Sequence, residues 1–352
     1  MKRERKETKA GEDLFVGIDI HKKTWHVTAQ TVDVELFSWS IPGKWEALNR
    51  LLNRFKEYKI RVVYEAGHFG FWLYDRLAEC GIDCIVTPPS LVPQEYGNKV
   101  KTDRRDSRKL SYLLAKGMLK RVWVPDKEEL YHRQVSRRRR QLITDRVRTQ
   151  NRIKSELQFH GIDIGEPEGR WSLVYIENLH RIRFKNRWMH ESFNRLLELY
   201  DFLDKQVKEQ TRLLKELSKT ELYRKRVEIL QSVPGIGIIV AMEILLELQD
   251  VSRFRKAEQI AAYVGLTPSQ YSSADKIRMG RITCVGKNSV RAALVEASWK
   301  LIRKDGVMQE KYERIKARAG SKRAIVAIAR SLLLRTRRML LDDVQYATGV
   351  IS

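Results

Sequence analysis

The 352 residues carry 68 lysines and arginines against 44 acids, a formal net charge of +24, with 43% hydrophobic residues. That hydrophobic share excludes a disordered chain, and the cationic excess points to a polyanion, since neutralised phosphates release their condensed counterions. Three cysteines, Cys80, Cys84 and Cys284, exclude a disulfide framework and fit a reducing cytoplasm, and no apolar run reaches the roughly eighteen residues of a membrane span.

The start, MKRERKETKAGED, has no hydrophobic stretch and reads as a basic flexible arm over residues 1–12. From Leu14 the pattern is strand-like: LFVGIDI is a near-continuous apolar run, WHVTAQT is β-rich and VELFSWS alternates. Helical spacing follows in Trp45, Leu48, Leu51, Leu52 and Phe55, then the strand RVVYE, a helix from Phe71 to Glu79, the short strand IDCIVT and the Pro-rich loop PPSLVP. A further helix begins near Asp103, in KTDRRDSRKL. Three strands, helix, strand, helix, strand, helix is an α/β order resembling the RNase-H-like fold, expected over residues 13–126.

From Lys127 to Tyr223 no strand is expected and charge is dense. Between Tyr131 and Ser155 there are nine Lys or Arg and one acid, including Arg137, Arg138, Arg139 and Arg140, with Arg148 and Arg152 beyond. Such density reads as a phosphate contact or as a solvated helical face. Leu196, Tyr200, Leu203, Val207, Gln210, Leu214 and Leu217 alternate in steps of four and three, which predicts a coiled-coil hairpin or a dimer seam, or a plain bundle helix.

A third region, residues 224–352, opens with ILQSVPGIGIIVAMEILLEL, whose Pro-Gly-x-Gly between apolar helices resembles a helix-hairpin-helix. It is expected to be mainly α-helical.

Asp19 ends the strand FVGID, Glu65 ends VVYE, and Asp103 and Asp106 open a helix on one face. Alone, each acid reads as a cap or a turn residue. Together, carboxylates at two strand ends and a helix start are how an RNase-H-like nuclease holds two divalent cations, with Mg2+ preferring such oxygen ligands.

The segments FVGIDIHKKTWHV, VVYEAGHFGFWLYDRLAECG and NKVKTDRRDSRKLSYLL resemble the DEDD-motif, RuvC-like transposases of bacterial insertion sequences, a family that includes the pilin-gene invertase. The separate blocks SVPGIGIIVAMEI and AEQIAAYVGLTPSQYSSADKIRMGRITCVGKNSVRAALVEAS resemble the same family's C-terminal serine domain. The resemblance implies strand cleavage and rejoining through a nucleophilic serine at Ser273, preceded by Ser272, with Ala274 standing where the family usually has glycine. It implies two Mg2+ ions at Asp19, Glu65, Asp103 and Asp106, and cations near the cut strand at Lys276, Arg278, Arg281, Lys287 and Arg291. Donor and target DNA, a structured non-coding bridge RNA and a homodimer or homotetramer are its implied partners, and no membrane is among them. A hydrolytic nuclease or junction resolvase with Ser273 idle, and a structural nucleic-acid binder, are the alternatives.

Overall fold

The computed structural model describes residues 11–93, 102–165, 171–273, 276–283 and 285–349, and excludes the side chains of residues 271–279. Most of the basic arm, Lys101, Ala274 and Cys284 therefore lie outside the described residues. The chain forms two compact units, Met1–Val124 and Pro125–Ser352.

The first unit is a mixed sheet with helices on both faces. Its elements are β1 (Asp13–Ile20), β2 (Thr24–Gln30), β3 (Glu35–Pro42), α1 (Trp45–Leu52), β4 (Lys59–Glu65), α2 (Trp72–Glu79), β5 (Asp83–Thr87) and α3 (Asp103–Ala115). The strand order is β3-β2-β1-β4-β5, antiparallel across β1, β2 and β3 and parallel across β1, β4 and β5, which is compatible with the RNase-H-like order expected above. Alternation along β1 divides its side chains between two cores. Leu14, Val16 and Ile18 join α1 and α2, whereas Phe15 packs with Val63, Leu110, Leu113 and Leu114 on the α3 side.

Gly17 lets α3 close onto that second face. A Cβ there would lie 2.2 Å from the Ser107 carbonyl oxygen and 2.5 Å from the Ser111 nitrogen, so only hydrogen fits between strand and helix. Ser107 and Ser111 are fully buried small residues at the crossing, and the Ser107 and Thr28 hydroxyls share a 2.8 Å hydrogen bond. This close approach sets where the first turn of α3 falls relative to the end of β1.

The second unit contains α4 (Lys127–Phe159), α5 (Leu173–Arg181), α6 (Arg187–Leu217), α7 (Arg224–Gln231), α8 (Ile238–Leu248), α9 (Ala257–Val264), the hairpin β6 (Pro268–Ser273) and β7 (Lys276–Ile282), α10 (Asn288–Leu301), α11 (Gly306–Ala319) and α12 (Ser321–Asp342). The long helices α4 and α6 run antiparallel: Arg139 Nε donates to Thr211 Oγ1 at 2.8 Å and Arg146 Nη1 to Asp204 Oδ1 at 2.5 Å, while Ile153 and Leu157 share a core with Leu197 and Phe193. The α6 positions buried in this way are Phe193, Leu197, Tyr200, Leu203, Val207 and Leu214. The expected seam is therefore corrected at Leu196, Gln210 and Leu217, which are only half-buried, because the contact face follows the arginines of α4 to Asp204 and Thr211.

The boundary expected at 223/224 falls between α6 and α7, inside the second unit, where α4 also packs on α8. In the Pro-Gly-x-Gly turn, Gly235 has φ +98°, and a Cβ there would meet the Ala297 carbonyl oxygen of α10 at 2.7 Å. The positive φ and the packing against α10 together account for that glycine, while Gly237 has open space beside it at the start of α8. Among the described residues no helix is long and apolar enough to cross a membrane.

Candidate active site

Asp19 shares the parity of Gly17 on β1, so it emerges on the α3 face of the sheet. Thr102 caps α3, its Oγ1 accepting from the Arg105 N–H at 3.4 Å, and Asp103 and Asp106 occupy the first turn, where the helix dipole favours acids. His21 Nε2 lies 3.2 Å from Asp19 Oδ2 and 3.5 Å from Asp103 Oδ1. Asp19, His21 and Asp103 each offer a ligand atom within 4.8 Å of the others, an arrangement that can hold a metal ion.

Glu65 and Asp106 stand outside that tight group. The parallel register of β1 and β4 ends at Ile18↔Tyr64, so Glu65 follows Tyr64 at the strand end beside Asp19, and it is exposed. Asp106 makes itself felt electrostatically. Burial pushes the Asp19 carboxyl above its ordinary value, and the charges of Asp103 and Asp106 act in the same direction; His21 offsets them only in part. An acid made costly to ionise by its neighbours is one that a bound cation stabilises.

His21 is a residue that the sequence places close to the acids, with His68, but to which sequence reasoning gave no role. The signal was available, since two residues apart in an extended strand share a face, and Asp19-Ile20-His21 has that spacing. The turn holding it is well tied: the His21 N–H donates to the Thr24 carbonyl at 3.2 Å, and the buried Trp25 donates Nε1–H to the His21 carbonyl at 3.1 Å. His26, opposite Asp19 in the β1–β2 register, contacts Ser40 Oγ through Nδ1 at 2.9 Å and Ser38 Oγ through Nε2 at 3.2 Å. Burial, seconded by the charge of Arg104, pushes its pKa down, so the neutral ring is favoured there.

Ser273 closes β6 and pairs in register with Lys276, the first residue of β7, with Ser272 opposite Ile277. The base of this hairpin is fastened between α9 and α10: the Thr283 N–H donates to the Thr267 carbonyl at 2.9 Å, the Lys287 N–H to the Tyr263 carbonyl at 3.0 Å, and Arg291 Nη1 to the Val264 carbonyl at 2.8 Å. The serine thus sits at the far end of a two-stranded arm whose root is fixed. The side chains of Lys276 and Arg278 are not among those described.

The arginine block does not form one cationic face. Consecutive residues on a helix are about 100° apart, so Arg137 and Arg140 point to α8 while Arg138 points to solvent. Arg137 makes two hydrogen bonds, of 2.7 and 2.9 Å, to Glu247, which Lys287 also reaches at 3.2 Å; Arg140 pairs with Glu243, and Arg139 is turned to Thr211. Burial pushes the Glu247 carboxyl up, but Arg137, Lys287 and Arg133 outweigh it and hold it below its ordinary value; burial wins at Glu243, which is raised. Arg137, Arg139, Arg140, Lys287 and Arg291, all expected to contact phosphate, thus also have internal partners. Arg138, Arg148, Arg152 and Arg281 are exposed, Arg148 beside Asp145 at 3.3 Å.

Residues 16–166 match a transposase family model of the DEDD type, and residues 227–313 match one described as the transposase IS116/IS110/IS902 family. The chain is 28% identical over 343 residues to a putative transposase, y4qE, of Sinorhizobium fredii, covering 93% of this chain and 82% of that protein. It is 27% identical over 248 residues to the transposase for insertion sequence element IS1533 of Leptospira borgpetersenii, with 67% and 70% covered. The corresponding figures for the transposase of element IS1111A of Coxiella burnetii are 26% over 276 residues, with 76% and 74% covered.

Proposed function

Because the chain belongs to the IS110-type DEDD transposases of insertion sequences, enzymes that act on DNA, we propose that it cuts and rejoins strands through Ser273 with the help of cations held by its acids. The observation that carries this reading is the meeting of Asp19 and Asp103 at one end of the sheet, with Asp106 and Glu65 around them. Their donor set is rich in hard oxygen, which suits a divalent ion such as Mg2+. When bound, such ions neutralise charge on a scissile phosphate and acidify a nearby hydroxyl.

The chain's own residues supply the rest. Ser273 Oγ forms a bond to phosphorus as one backbone P–O bond breaks, and the departing oxygen takes up the proton that the serine releases. One phosphoester is exchanged for another, so the strand end is held as a phosphoserine and a free hydroxyl reverses the step. The fixed root of the β6–β7 arm supports a serine that is presented in a set direction. Exposed Arg138, Arg148, Arg152 and Arg281 contact nucleic-acid backbone, and the net charge of +24 favours both DNA and a structured guide RNA. Sequence choice is then delegated to base pairing, and dimers or tetramers carry out the exchange.

The test uses the full chain with co-purified RNA, donor and target DNA, and Mg2+. Ser273→Ala should abolish both cutting and the covalent protein–DNA adduct seen on a denaturing gel, with Ser272→Ala keeping both. Continued cutting by Ser273→Ala would assign the attack to water and make the protein a hydrolase.

A further inference from the structure

The family reading assigns four carboxylates to the cations, yet the tight group contains a nitrogen. We infer that His21 is a direct ligand of the divalent ion held by Asp19 and Asp103, and that it biases this position toward Mn2+ and later first-row ions over Mg2+. The inference rests on the metal-binding reading above.

Three observations carry it. Ligand atoms at adjacent corners of an octahedron with bonds of about 2.1 Å are about 3.0 Å apart. His21 Nε2 stands 3.2 Å from Asp19 Oδ2 and 3.5 Å from Asp103 Oδ1, close to that spacing, and ligand atoms of all three residues lie within 4.8 Å of one another. Next, the ring is placed by backbone and not by chance packing: its residue is tied at N–H to Thr24 and at the carbonyl to Trp25, in a turn so close to Gly43 that a Cβ added there would lie 3.2 Å from the same carbonyl oxygen. Finally, the other imidazole on this face, His26, spends both ring nitrogens on Ser38 and Ser40, which leaves His21 as the nitrogen donor.

Imidazole suits the transition series, whereas Mg2+ holds to oxygen and water and sheds its hydration reluctantly. With Asp19 mostly covered at 22% side-chain exposure and His21 and Asp103 at 51% and 58%, the open side of the triad leaves coordination positions for water or phosphate oxygen.

The experiment loads the full-length protein with Mn2+ alone and records pulsed electron paramagnetic resonance, alongside Mn2+ and Mg2+ titrations of the wild type and His21→Ala. Bound Mn2+ should show nitrogen-14 modulation from one imidazole, and His21→Ala should lose that modulation. Even outer-shell partners contribute about 10–100-fold to metal affinity, so loss of a direct ligand should weaken Mn2+ at least tenfold. Mg2+ affinity should change less, and the preference for Mn2+ should shrink. Nitrogen modulation that persists in His21→Ala, or Mn2+ bound without any, overturns the role of His21 and leaves the acidic site standing. A wild-type protein that binds no Mn2+ overturns both.

Discussion

Gly17→Ala probes the contact on which the site's geometry depends. The added Cβ would lie 2.2 Å from the Ser107 carbonyl oxygen and 2.5 Å from the Ser111 nitrogen, against an ordinary contact of at least 3.4 Å. Both obstacles are helix backbone, so no rotamer change relieves them and α3 has to retreat by roughly 1 Å. Overpacking of this kind costs about 1–3 kcal/mol, which for a unit of roughly 110 residues lowers the melting temperature by about 4–12 °C. The 2.8 Å hydrogen bond between Thr28 and Ser107 spans the same crossing and would stretch with it. Asp103 moves with its helix, so its 3.5 Å separation from His21 Nε2 opens toward roughly 4.5 Å, beyond the spacing of neighbouring ligands. Circular-dichroism melts and Mn2+ titration read the two effects independently, and the expected result is a lower melting point together with at least a tenfold weaker Mn2+ affinity, about 1.4 kcal/mol. A variant that melts within about 1 °C of the wild type and keeps its Mn2+ affinity would show that the crossing does not set the site.

The two kinds of arginine in α4 should separate in a paired measurement. Arg137→Ala leaves Glu247, whose side chain is 2% exposed, with only Lys287 at 3.2 Å and the charge of Arg133, and should cost about 3 kcal/mol in urea unfolding; an unchanged midpoint would refute the pairing. Arg138→Ala should leave stability alone while weakening RNA and DNA binding, with a log–log salt slope shallower by about one; an unaltered slope would remove Arg138 from the interface. Asp19→Asn tests the electrostatic cost of the site. Because the folded carboxyl titrates above the ordinary 3.8, the fold holds that proton longer than the unfolded chain, and stability falls as pH rises from 3.8 through the raised folded value. The metal-free variant should therefore be at least as stable as the wild type at pH 7, converge with it below pH 3.8 and bind no Mn2+; a less stable variant at pH 7 would reverse the sign.

Sequence patterns showed those parts of the molecule whose cause is local. The order of strands and helices along the chain, the acids at element ends and the Asp103–Asp106 spacing follow from period-two and period-3.6 rules acting over a few residues. The division of β1 into two faces was equally local, and carrying the period one step past the strand, from Asp19 to His21, is all that was needed to add the histidine to the carboxylates.

The internal partners of the arginines were not legible, for a different reason. Their partners on α8 lie more than a hundred residues away, Arg140 to Glu243 and Arg137 to Glu247, and no periodicity within α4 can report them. The readable half of those pairs is on the other helix. In AMEILLEL two glutamates four apart interrupt an apolar run that has to be buried nearly all round, and a buried carboxylate requires a cationic partner. Two such acids on one helical face call for two cations at matching spacing, three or four apart, on whichever helix covers them, and Arg137 and Arg140 have that spacing. A basic block in a nucleic-acid enzyme should therefore be set against the acids stranded in its apolar helices before it is given to phosphate. Arg138, one step round the helix from Arg137, is exposed to solvent instead.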